Sequence, residues 1–361
     1  MPASPMAAMP DADVARLENY LAVALDDYDP ASELTMSLLT GGRSNVTYLL
    51  SQPERLWVLR RPPLGHLMPS GHDMAREFRT LSFLSDYDFP SPEPLALCQD
   101  ESVLGVTFQV LRYVPGLVVP DEATARGLAD GDASHLCREL IHVLTRLHAI
   151  PPPAMAPGRS TSAADYLDRQ VKRWTQQWEH TKTRELPAVA QLSQWLRQAV
   201  TTVPAERQVS VVHGDYRLDN LVLDPASKDI RAVLDWEMST LGDPLMDLAL
   251  LLVYWQQPGD GLRKKIAVAE NLTTTAGFWP RERLVAEYAA ASQAPMDDRH
   301  LDTCLALACL KLAVIMESVH YRYLAGQALD QLSSGLEDAA PALLEMGLRI
   351  CAGAGISGLA A

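Results

Sequence analysis

The chain has 361 residues, 48% of them hydrophobic, which suits one large two-lobed enzyme or two modest domains. Its formal charge of −14 argues against a nucleic-acid partner, because neutralising phosphates requires clustered lysines and arginines. The five cysteines include no CxxC pair, and their odd number favours reduced thiols in a cytoplasmic protein. No run reaches about 18 uninterrupted apolar residues, so we expect no membrane partner.

The first third of the chain predicts a small sheet. Residues 1–13 lack the pattern of a secretion signal and are expected to form a disordered tail, and an amphipathic helix follows over 14–28. Short β-branched runs predict five strands, at 34–40, 46–51, 56–60, 95–98 and 106–111. A further helix with an apolar stripe is predicted within 72–87.

The turn after the first predicted strand has the sequence GGRSN. Gly41 and Gly42 would let backbone N–H groups approach an anion closely, and Ser44 and Asn45 add side-chain donors. The turn is therefore a candidate phosphate-binding loop. Many hairpins contain two glycines, so this interpretation depends on where the turn stands among the other elements.

The remainder of the chain is mainly helical in pattern. Apolar residues recur at helical spacing in seven segments, namely 135–150, 166–180, 186–203, 262–276, 281–290, 301–323 and 332–351. We expect one lobe over residues 14–112 and a larger, mostly helical lobe over 113–361.

Chemistry-bearing residues gather at strand ends in the middle of the chain. The predicted strands 209–212 and 221–223 flank a polar cluster that consists of His213, Asp215, Arg217, Asp219 and Asn220. A third apolar run, 232–234, is followed at once by Asp235 and Glu237. Oxygen ligands of this kind suit a divalent metal, with one carboxylate left to orient or deprotonate a hydroxyl.

The motifs HGD-YRLD-N and LDWE resemble those of the aminoglycoside phosphotransferase/choline kinase group, which are small-molecule kinases with a protein-kinase-like fold. The resemblance implies an α+β fold with a five-stranded antiparallel sheet and helix in the small lobe. It also implies that ATP or GTP is the phosphate donor and that Asp215 is the catalytic base. Asn220 and Asp235 would bind Mg²⁺, and Glu237 either helps to hold a second metal ion or is structural.

The same resemblance implies nucleotide contacts in the small lobe. Arg60 stands where these kinases place a cation that touches the phosphates and pairs with a helix glutamate, here Glu77. The usual residue is lysine, so arginine is a departure, although it can grip a carboxylate or phosphate with two N–H groups. A solvated Arg60–Arg61 pair and a solvated Glu77 are the alternatives. The backbone that would meet the adenine belongs to Arg112, Tyr113 and Val114.

The neighbours of Asp215 have distinct expected roles. His213 should brace the loop through hydrogen bonds to the backbone, although it is counted among the candidate catalytic residues. Arg217 either pairs with Asp215 or reaches an anionic substrate, and the sequence leaves both open. Asp219 stands where related proteins commonly have glycine, and the turn is still feasible because aspartate tolerates a left-handed backbone better than most residues. Asp247 is expected to anchor the loop.

The acceptor is predicted to be a small molecule. Only STLG separates the DWEM segment from the DPLMDLA helix, which leaves no room for the long activation loop that docks polypeptide substrates. Over roughly residues 30 to 330 the motifs resemble the phosphotransferase domain that is fused to some acyl-CoA dehydrogenases, which implies a hydroxyacyl-CoA or hydroxy acid. An aminoglycoside or choline-type kinase, a nucleotide-binding pseudokinase and a metal-dependent phosphohydrolase remain alternatives.

Overall fold

A computed structural model describes residues 11–39, 45–63, 73–153, 162–204, 206–266, 268, 271–292, 296–326 and 336–360. The chain divides into two compact units. The first comprises residues up to Pro115 together with Arg231–Met238, and the second comprises Gly116–Ile230 and Ser239–Ala361. The sequence pattern predicts this division at residue 112, with the segment 231–238 in the second lobe.

The first unit contains the predicted five-stranded antiparallel sheet. Its strands are β1 (Thr35–Leu38), β2 (Val46–Gln52), β3 (Arg55–Arg61), β4 (Pro94–Cys98) and β5 (Phe108–Arg112). They lie in the order β1-β2-β3-β5-β4, and every neighbouring pair is antiparallel. The five predicted strands are therefore confirmed, with ends that differ by one or two residues.

Among the described residues of this unit there are three α-helices, namely α1 (Asp11–Ala24), α2 (Met74–Leu84) and α3 (Glu101–Leu104). Helix α1 begins at Asp11, inside the stretch predicted as a disordered tail, and residues 1–10 lie outside the described part of the chain. Its Leu17 and Leu21, four residues apart, are fully buried in one cluster with Trp57 and Phe108 of the sheet. Burial of these apolar side chains fixes α1 to the sheet.

Alternation along β3 determines where its charged side chain points. Trp57 and Leu59 are fully buried in the core, whereas Arg60 lies on the opposite face with intermediate exposure. Helix α2 begins after Asp73, whose carboxylate caps it by accepting a hydrogen bond from the Arg76 N–H at 2.9 Å. Glu77 lies on the buried side of this helix.

The second unit is mostly helical. Its helices are α4 (Glu122–Arg126), α5 (Asp130–Ala149), α6 (Ala163–Thr181), α7 (Pro187–Ala199), α8 (Leu245–Tyr254), α9 (Arg281–Ala291), α10 (Asp298–Leu324) and α11 (Ala339–Arg349). Short strands are β6 (Ser210–Val212), β7 (Leu221–Leu223), β8 (Ile230–Val233) and β9 (Thr240–Gly242), and β6 pairs with β9. β8 starts in this unit and continues into the segment that belongs to the first.

The helix predicted over 262–276 is wrong. The described residues there form a 3₁₀ turn over Arg263–Lys265 and otherwise irregular backbone. Arg263 is fully buried and donates hydrogen bonds to the carbonyl oxygens of Tyr254 at 3.0 and 2.9 Å and of Ile266 at 2.6 Å. These bonds satisfy carbonyl groups that no helix satisfies, so a charged side chain stabilises the irregular segment.

Helix α10 lies at the centre of the second unit and packs against α6, α7, α8 and α11. Within the described part of the chain, two helical segments could cross a membrane by length and composition alone, namely Asp298–Leu324 and Leu336–Leu359. In their apolar windows, 78% and 44% of the residues are buried inside the protein, and a core helix meets the same criterion. The expectation of no membrane partner stays a prediction.

Candidate active site

In the second unit, the loop from β6 to β7 is fixed by one carboxylate. Asp247 of α8 is fully buried and accepts hydrogen bonds from the backbone N–H groups of His213 at 2.6 Å and Gly214 at 2.7 Å. Gly214 has a φ of +82°, a left-handed conformation that glycine adopts without steric cost. Asp247 therefore anchors the loop, as the sequence predicts, and the turn at Gly214 leads directly into Asp215.

The Asp215 carboxylate is oriented by its neighbours and remains partly exposed. Its Oδ2 accepts hydrogen bonds from Arg217 Nε at 3.1 Å and Asn220 Nδ2 at 3.3 Å, and the Tyr254 side chain is a further hydrogen-bond partner of the carboxylate. The side chain of Asp215 is 22% exposed. His213 Nδ1 accepts the Asp215 N–H at 3.2 Å, which is the bracing contact expected of this histidine. An oriented, partly exposed carboxylate is suited to accept a hydrogen bond from a hydroxyl.

Arg217 is engaged by the carboxylates of its own loop. Besides Asp215, its guanidinium pairs with Asp219 at 3.0 Å and lies 5.2 Å from the centre of the Tyr254 ring. Of the two alternatives for Arg217, pairing with Asp215 is therefore observed. Asp219 lies in a 3₁₀ turn over Leu218–Asn220 and is not among the residues with positive φ, so the turn forms with aspartate and needs no left-handed backbone there.

The side-chain amide of Asn220 is oriented by the same loop. Its Nδ2 donates to the backbone oxygen of Asp215 at 2.9 Å as well as to the Asp215 carboxylate. Its Oδ1 consequently points away from these partners and has no hydrogen bond to any described residue. An amide oxygen held in this way is available to a hard cation.

Lys311 of α10 also contacts this loop, and it was not among the residues predicted from the sequence to belong to the site. Its Nζ donates to the Gly214 carbonyl oxygen at 2.6 Å, and its residue is only 7% exposed. The sequence pattern that could have identified Lys311 is a single lysine within the apolar run 305–314. A lone charge on a buried helix requires a partner, so such a lysine is expected to contact a polar group.

In the first unit, Arg60 bridges two carboxylates. Its guanidinium donates to Glu77 Oε1 at 2.7 Å and to Asp235 Oδ1 at 2.8 Å, although Arg60 and Asp235 are 175 residues apart in sequence. The Arg60 side chain is 13% exposed and that of Glu77 is fully buried. The alternatives of a solvated Arg60 and a solvated Glu77 are therefore wrong, and the predicted Arg60–Glu77 pair is present.

Burial is the strongest influence on both members of this pair, and it disfavours each charge. For Arg60, the nearby charges of Glu77 and Asp235 outweigh burial and raise the pKa of the guanidinium above its ordinary value. For Glu77, burial outweighs the attraction of Arg60, so the pKa of its carboxyl is raised. Arg60 is thus a permanent cation between two acidic side chains.

The backbone after β8 presents Asp235 and Glu237. Asp235 has a φ of +66°, and a 3₁₀ turn over Trp236–Met238 follows. Glu237 Oε2 accepts a hydrogen bond from Asn45 Nδ2 at 2.8 Å, and Arg76 donates to the Glu237 carbonyl oxygen. Asn45 is thus in contact with Glu237, whereas Gly41, Gly42 and Ser44 of the predicted phosphate loop lie outside the described residues. Nothing in the sequence pattern pointed to Arg76.

A model of the phosphotransferase enzyme family matches residues 35–300. The chain belongs to the phosphotransferase enzyme family. The predictions of this family, of its α+β fold and of a small-molecule phosphotransferase are confirmed.

Two curated relatives extend the match within the family. Acyl-CoA dehydrogenase family member 11 of Pongo abelii is 31% identical over 342 residues, which cover 94% of this chain and 43% of the relative. Acyl-CoA dehydrogenase family member 10 of Mus musculus is 32% identical over 317 residues, which cover 86% of this chain and 28% of the relative. The chain thus spans less than half the length of either relative.

Solved structures of phosphotransferases have the same fold. A putative aminoglycoside phosphotransferase from Ralstonia eutropha JMP134 superposes with a TM-score of 0.75 at 28% identity, covering 94% of this chain and 98% of that one. Aminoglycoside phosphotransferase APH(4)-Ia, in a ternary complex with AMP-PNP and hygromycin B, superposes with a TM-score of 0.59 at 17% identity, covering 93% and 99%. The second likeness concerns the fold alone.

The donor atoms of this family member fit a magnesium ion, which prefers oxygen ligands and retains several waters. In the first unit, Asp235 Oδ1 is bound to Arg60, and its Oδ2 has no hydrogen bond to any described residue. Glu237 supplies a second carboxylate there. In the second unit, the Oδ1 of Asn220 is available because the amide nitrogen is used internally. Each predicted metal ligand thus presents an oxygen.

The predicted adenine-binding backbone of this phosphotransferase is partly occupied by the sheet. The N–H of Arg112 donates to the Glu93 carbonyl oxygen at 2.8 Å, and that of Tyr113 to Leu56 at 3.3 Å. The Arg112 side chain pairs with Asp27 at 2.5 Å. The role of Arg112, Tyr113 and Val114 in nucleotide binding stays a prediction, with the Val114 backbone as its best remaining candidate.

Proposed function

We propose that this phosphotransferase transfers the γ-phosphoryl group of ATP or GTP to a hydroxyl of a small molecule and requires Mg²⁺. The observation that carries the proposal is the state of Asp215. Its carboxylate is oriented by Arg217, Asn220 and Tyr254, and 22% of the side chain remains exposed to an incoming hydroxyl. In phosphoryl transfer the protein mainly positions the reactants and neutralises charge, so a rigidly oriented carboxylate is the group that the reaction needs.

In the proposed reaction, Asp215 accepts a hydrogen bond from the acceptor hydroxyl and takes its proton late. The hydroxyl oxygen forms a bond to the γ-phosphorus, and the bond from that phosphorus to the β–γ bridging oxygen breaks. Arg60 contributes fixed positive charge toward the nucleotide phosphates, with Glu77 holding its guanidinium in place. Asn220, Asp235 and Glu237 would hold Mg²⁺, which offsets the charge of the phosphates when it is bound.

The acceptor that we propose is a hydroxyacyl-CoA or a related hydroxy acid. Similarity to acyl-CoA dehydrogenase family members 10 and 11 supports this class.

A product assay tests the proposal. The purified protein is incubated with Mg·ATP or Mg·GTP and with hydroxyacyl-CoAs, free hydroxy acids, choline, kanamycin and hygromycin B, and phosphorylated products are identified by mass spectrometry. We expect phosphorylated hydroxyacyl-CoA or hydroxy acid, and none from a matched Asp215→Asn variant. A phosphorylated aminoglycoside or choline would instead identify that acceptor class.

Two further outcomes would contradict kinase activity. Nucleotide binding in a thermal-shift assay, with no phosphorylated product from any acceptor, would favour a nucleotide-binding pseudokinase, for which the arginine at position 60 is the motivating feature. Phosphate release at the same rate with and without acceptor would favour a metal-dependent phosphohydrolase. Omission of Mg²⁺ serves as the control in each arm.

A further inference from the structure

Lys311 lies where a charged residue needs an explanation. It belongs to α10, in a run of buried apolar residues over 305–314, and is itself 7% exposed. A buried ammonium group is unfavourable unless it gains strong partners. A lysine on the surface needs no such partners, because water solvates its charge. The buried charge of Lys311 therefore requires an explanation.

The ammonium group meets the loop that carries Asp215. Its Nζ donates to the Gly214 carbonyl oxygen at 2.6 Å and lies 5.9 Å from the centre of the Trp174 ring. The charged groups that act on it come from three elements, namely Asp215 of the loop, Asp247 of α8 and Arg173 of α6. Two of these are carboxylates, and one is the proposed base.

Gly214 is held on both sides of its backbone. Its N–H donates to Asp247 and its carbonyl oxygen accepts from Lys311. The carbonyl group belongs to the peptide plane that joins Gly214 to Asp215. The Asp215 N–H at the other end of this plane donates to His213 Nδ1 at 3.2 Å, so Lys311 and His213 hold the plane from its two sides. The contact with Lys311 therefore bears directly on the direction in which Asp215 leaves the loop.

We infer that Lys311 is a positioning residue for Asp215: together with His213 it fixes the peptide plane before this carboxylate, and its positive charge attracts the carboxylate and keeps it correctly aimed. The inference rests on the proposed kinase function, since it gives Lys311 a role in the reaction. It adds a residue that neither the family match nor the sequence motifs assign.

If the charge of Lys311 positions Asp215, turnover should depend on the protonation of Lys311. Burial lowers the pKa of Lys311 to about 8, with Asp215 and Asp247 opposing this effect and Arg173 adding to it. In the folded protein Lys311 thus loses its proton at a pH where an exposed lysine is still charged. Above that pH the neutral amine makes a weaker hydrogen bond and no longer attracts Asp215. Turnover should fall as the pH rises through about 8.

Kinetics of matched variants test the role. For Lys311→Met we expect kcat to fall by about tenfold or more at neutral pH, because small misplacements of reacting groups are costly, with the KM for the nucleotide little changed. The alkaline decline should disappear in this variant and move to higher pH in Lys311→Arg, which keeps its charge. Lys172→Met, at an exposed lysine paired only with Asp168 among the described residues, is the control and should retain the wild-type profile.

A second measurement is independent of turnover. The chain has six lysines, so selective ¹³C labelling of lysine Cε allows each to be titrated by NMR, with Lys311 assigned by its loss in Lys311→Met. We expect a midpoint near 8 in the wild-type protein. The midpoint should move lower in Asp215→Asn, because the attracting anion is gone, and stay unchanged in Asp168→Asn.

The two measurements separate the inference from the proposed function. An unaltered kcat and pH profile in Lys311→Met, in a protein that is active, would overturn the inference. So would a Lys311 midpoint near that of an ordinary lysine with no response to Asp215→Asn. If no acceptor is phosphorylated by the wild-type protein, the proposed function fails and the catalytic role of Lys311 fails with it, whereas a shifted midpoint would still establish its interaction with Asp215.

Discussion

Asp247 accepts a hydrogen bond from the backbone N–H of Gly214 at 2.7 Å, and its other oxygen accepts the N–H of His213. In Asp247→Asn, one of these two buried N–H groups would face an amide NH₂ and lose its acceptor. We expect the free energy of unfolding to fall by about 2–4 kcal/mol. The reason is that a buried N–H group without an acceptor has given up its hydrogen bond to water and gained none in the folded protein. Urea denaturation followed by tryptophan fluorescence measures this.

The same variant provides a pH prediction with a defined sign. Burial would raise the pKa of Asp247, but the hydrogen bond and charge of His148, with the charge of His213 and the Gly214 N–H, lower it below 3.8. A carboxyl group whose pKa is lowered by folding stabilises the folded protein at pH values above its ordinary pKa. This stabilisation is lost as the pH falls through the pKa of the folded state. The difference between wild type and Asp247→Asn should therefore be greatest near neutral pH and shrink in acid. Asp168→Asn, at an exposed carboxylate, should show no such trend.

Asp215→Asn tests chemistry rather than folding. The amide is nearly isosteric but cannot accept the acceptor proton, so we expect turnover to fall by about 100- to 10,000-fold. Because the side chain is partly exposed and the loop is held by other residues, the melting temperature should change little. Turnover within twofold of the wild type would show that another group is the base.

Arg60 is predicted to matter for stability as well as for nucleotide binding. Arg60→Met leaves Glu77 buried without its cation, so the free energy of unfolding should fall by about 3–5 kcal/mol. The double variant Arg60→Met/Glu77→Leu should recover most of this loss, because no buried charge then remains unpaired. Arg61→Met, at the neighbouring arginine that hydrogen-bonds to Pro62 and Tyr48, is the control. A double variant no more stable than Arg60→Met alone would contradict this explanation.

The Arg60–Glu77 pair was predictable because strand alternation and the resemblance to kinases together specify it. Alternation along β3 sends Trp57 and Leu59 to the core and Arg60 to the other face, and the spacing in α2 places Glu77 on its buried side. Local periodicity likewise sufficed for the five strands. The resemblance to kinases supplied the partner, which alternation alone does not identify.

Contacts made by residues far apart in the sequence were not predictable. Asn45 was expected to face a phosphate, but it lies against Glu237, 192 residues later. The irregular segment after α8 was mistaken for a helix because its leucines and isoleucine have helical spacing, whereas buried Arg263 satisfies the backbone there. Lys311 was missed for a related reason, since only the fold brings its helix to Gly214.

Gly116, at the start of the second unit, is predicted to tolerate no side chain. A Cβ there would lie 2.4 Å from Val222 Cγ1 and 2.5 Å from the Leu223 carbonyl oxygen, and the backbone atom has little freedom to move because Leu117 and Leu223 exchange hydrogen bonds of 2.9 and 2.8 Å. We expect Gly116→Ala to lower the free energy of unfolding by about 1–3 kcal/mol, the usual range for overpacking.

Gly131 provides the matched control for this substitution. It lies in α5, and a Cβ built there meets no heavy atom within 4 Å. Gly131→Ala should raise the free energy of unfolding by about 0.4–1 kcal/mol, because alanine restricts the unfolded chain without straining the helix. Since both variants add one methyl group, a difference in sign between them isolates the close approach of Gly116 to β7. Equal stability of the two variants would show that β7 can shift to accept the methyl group.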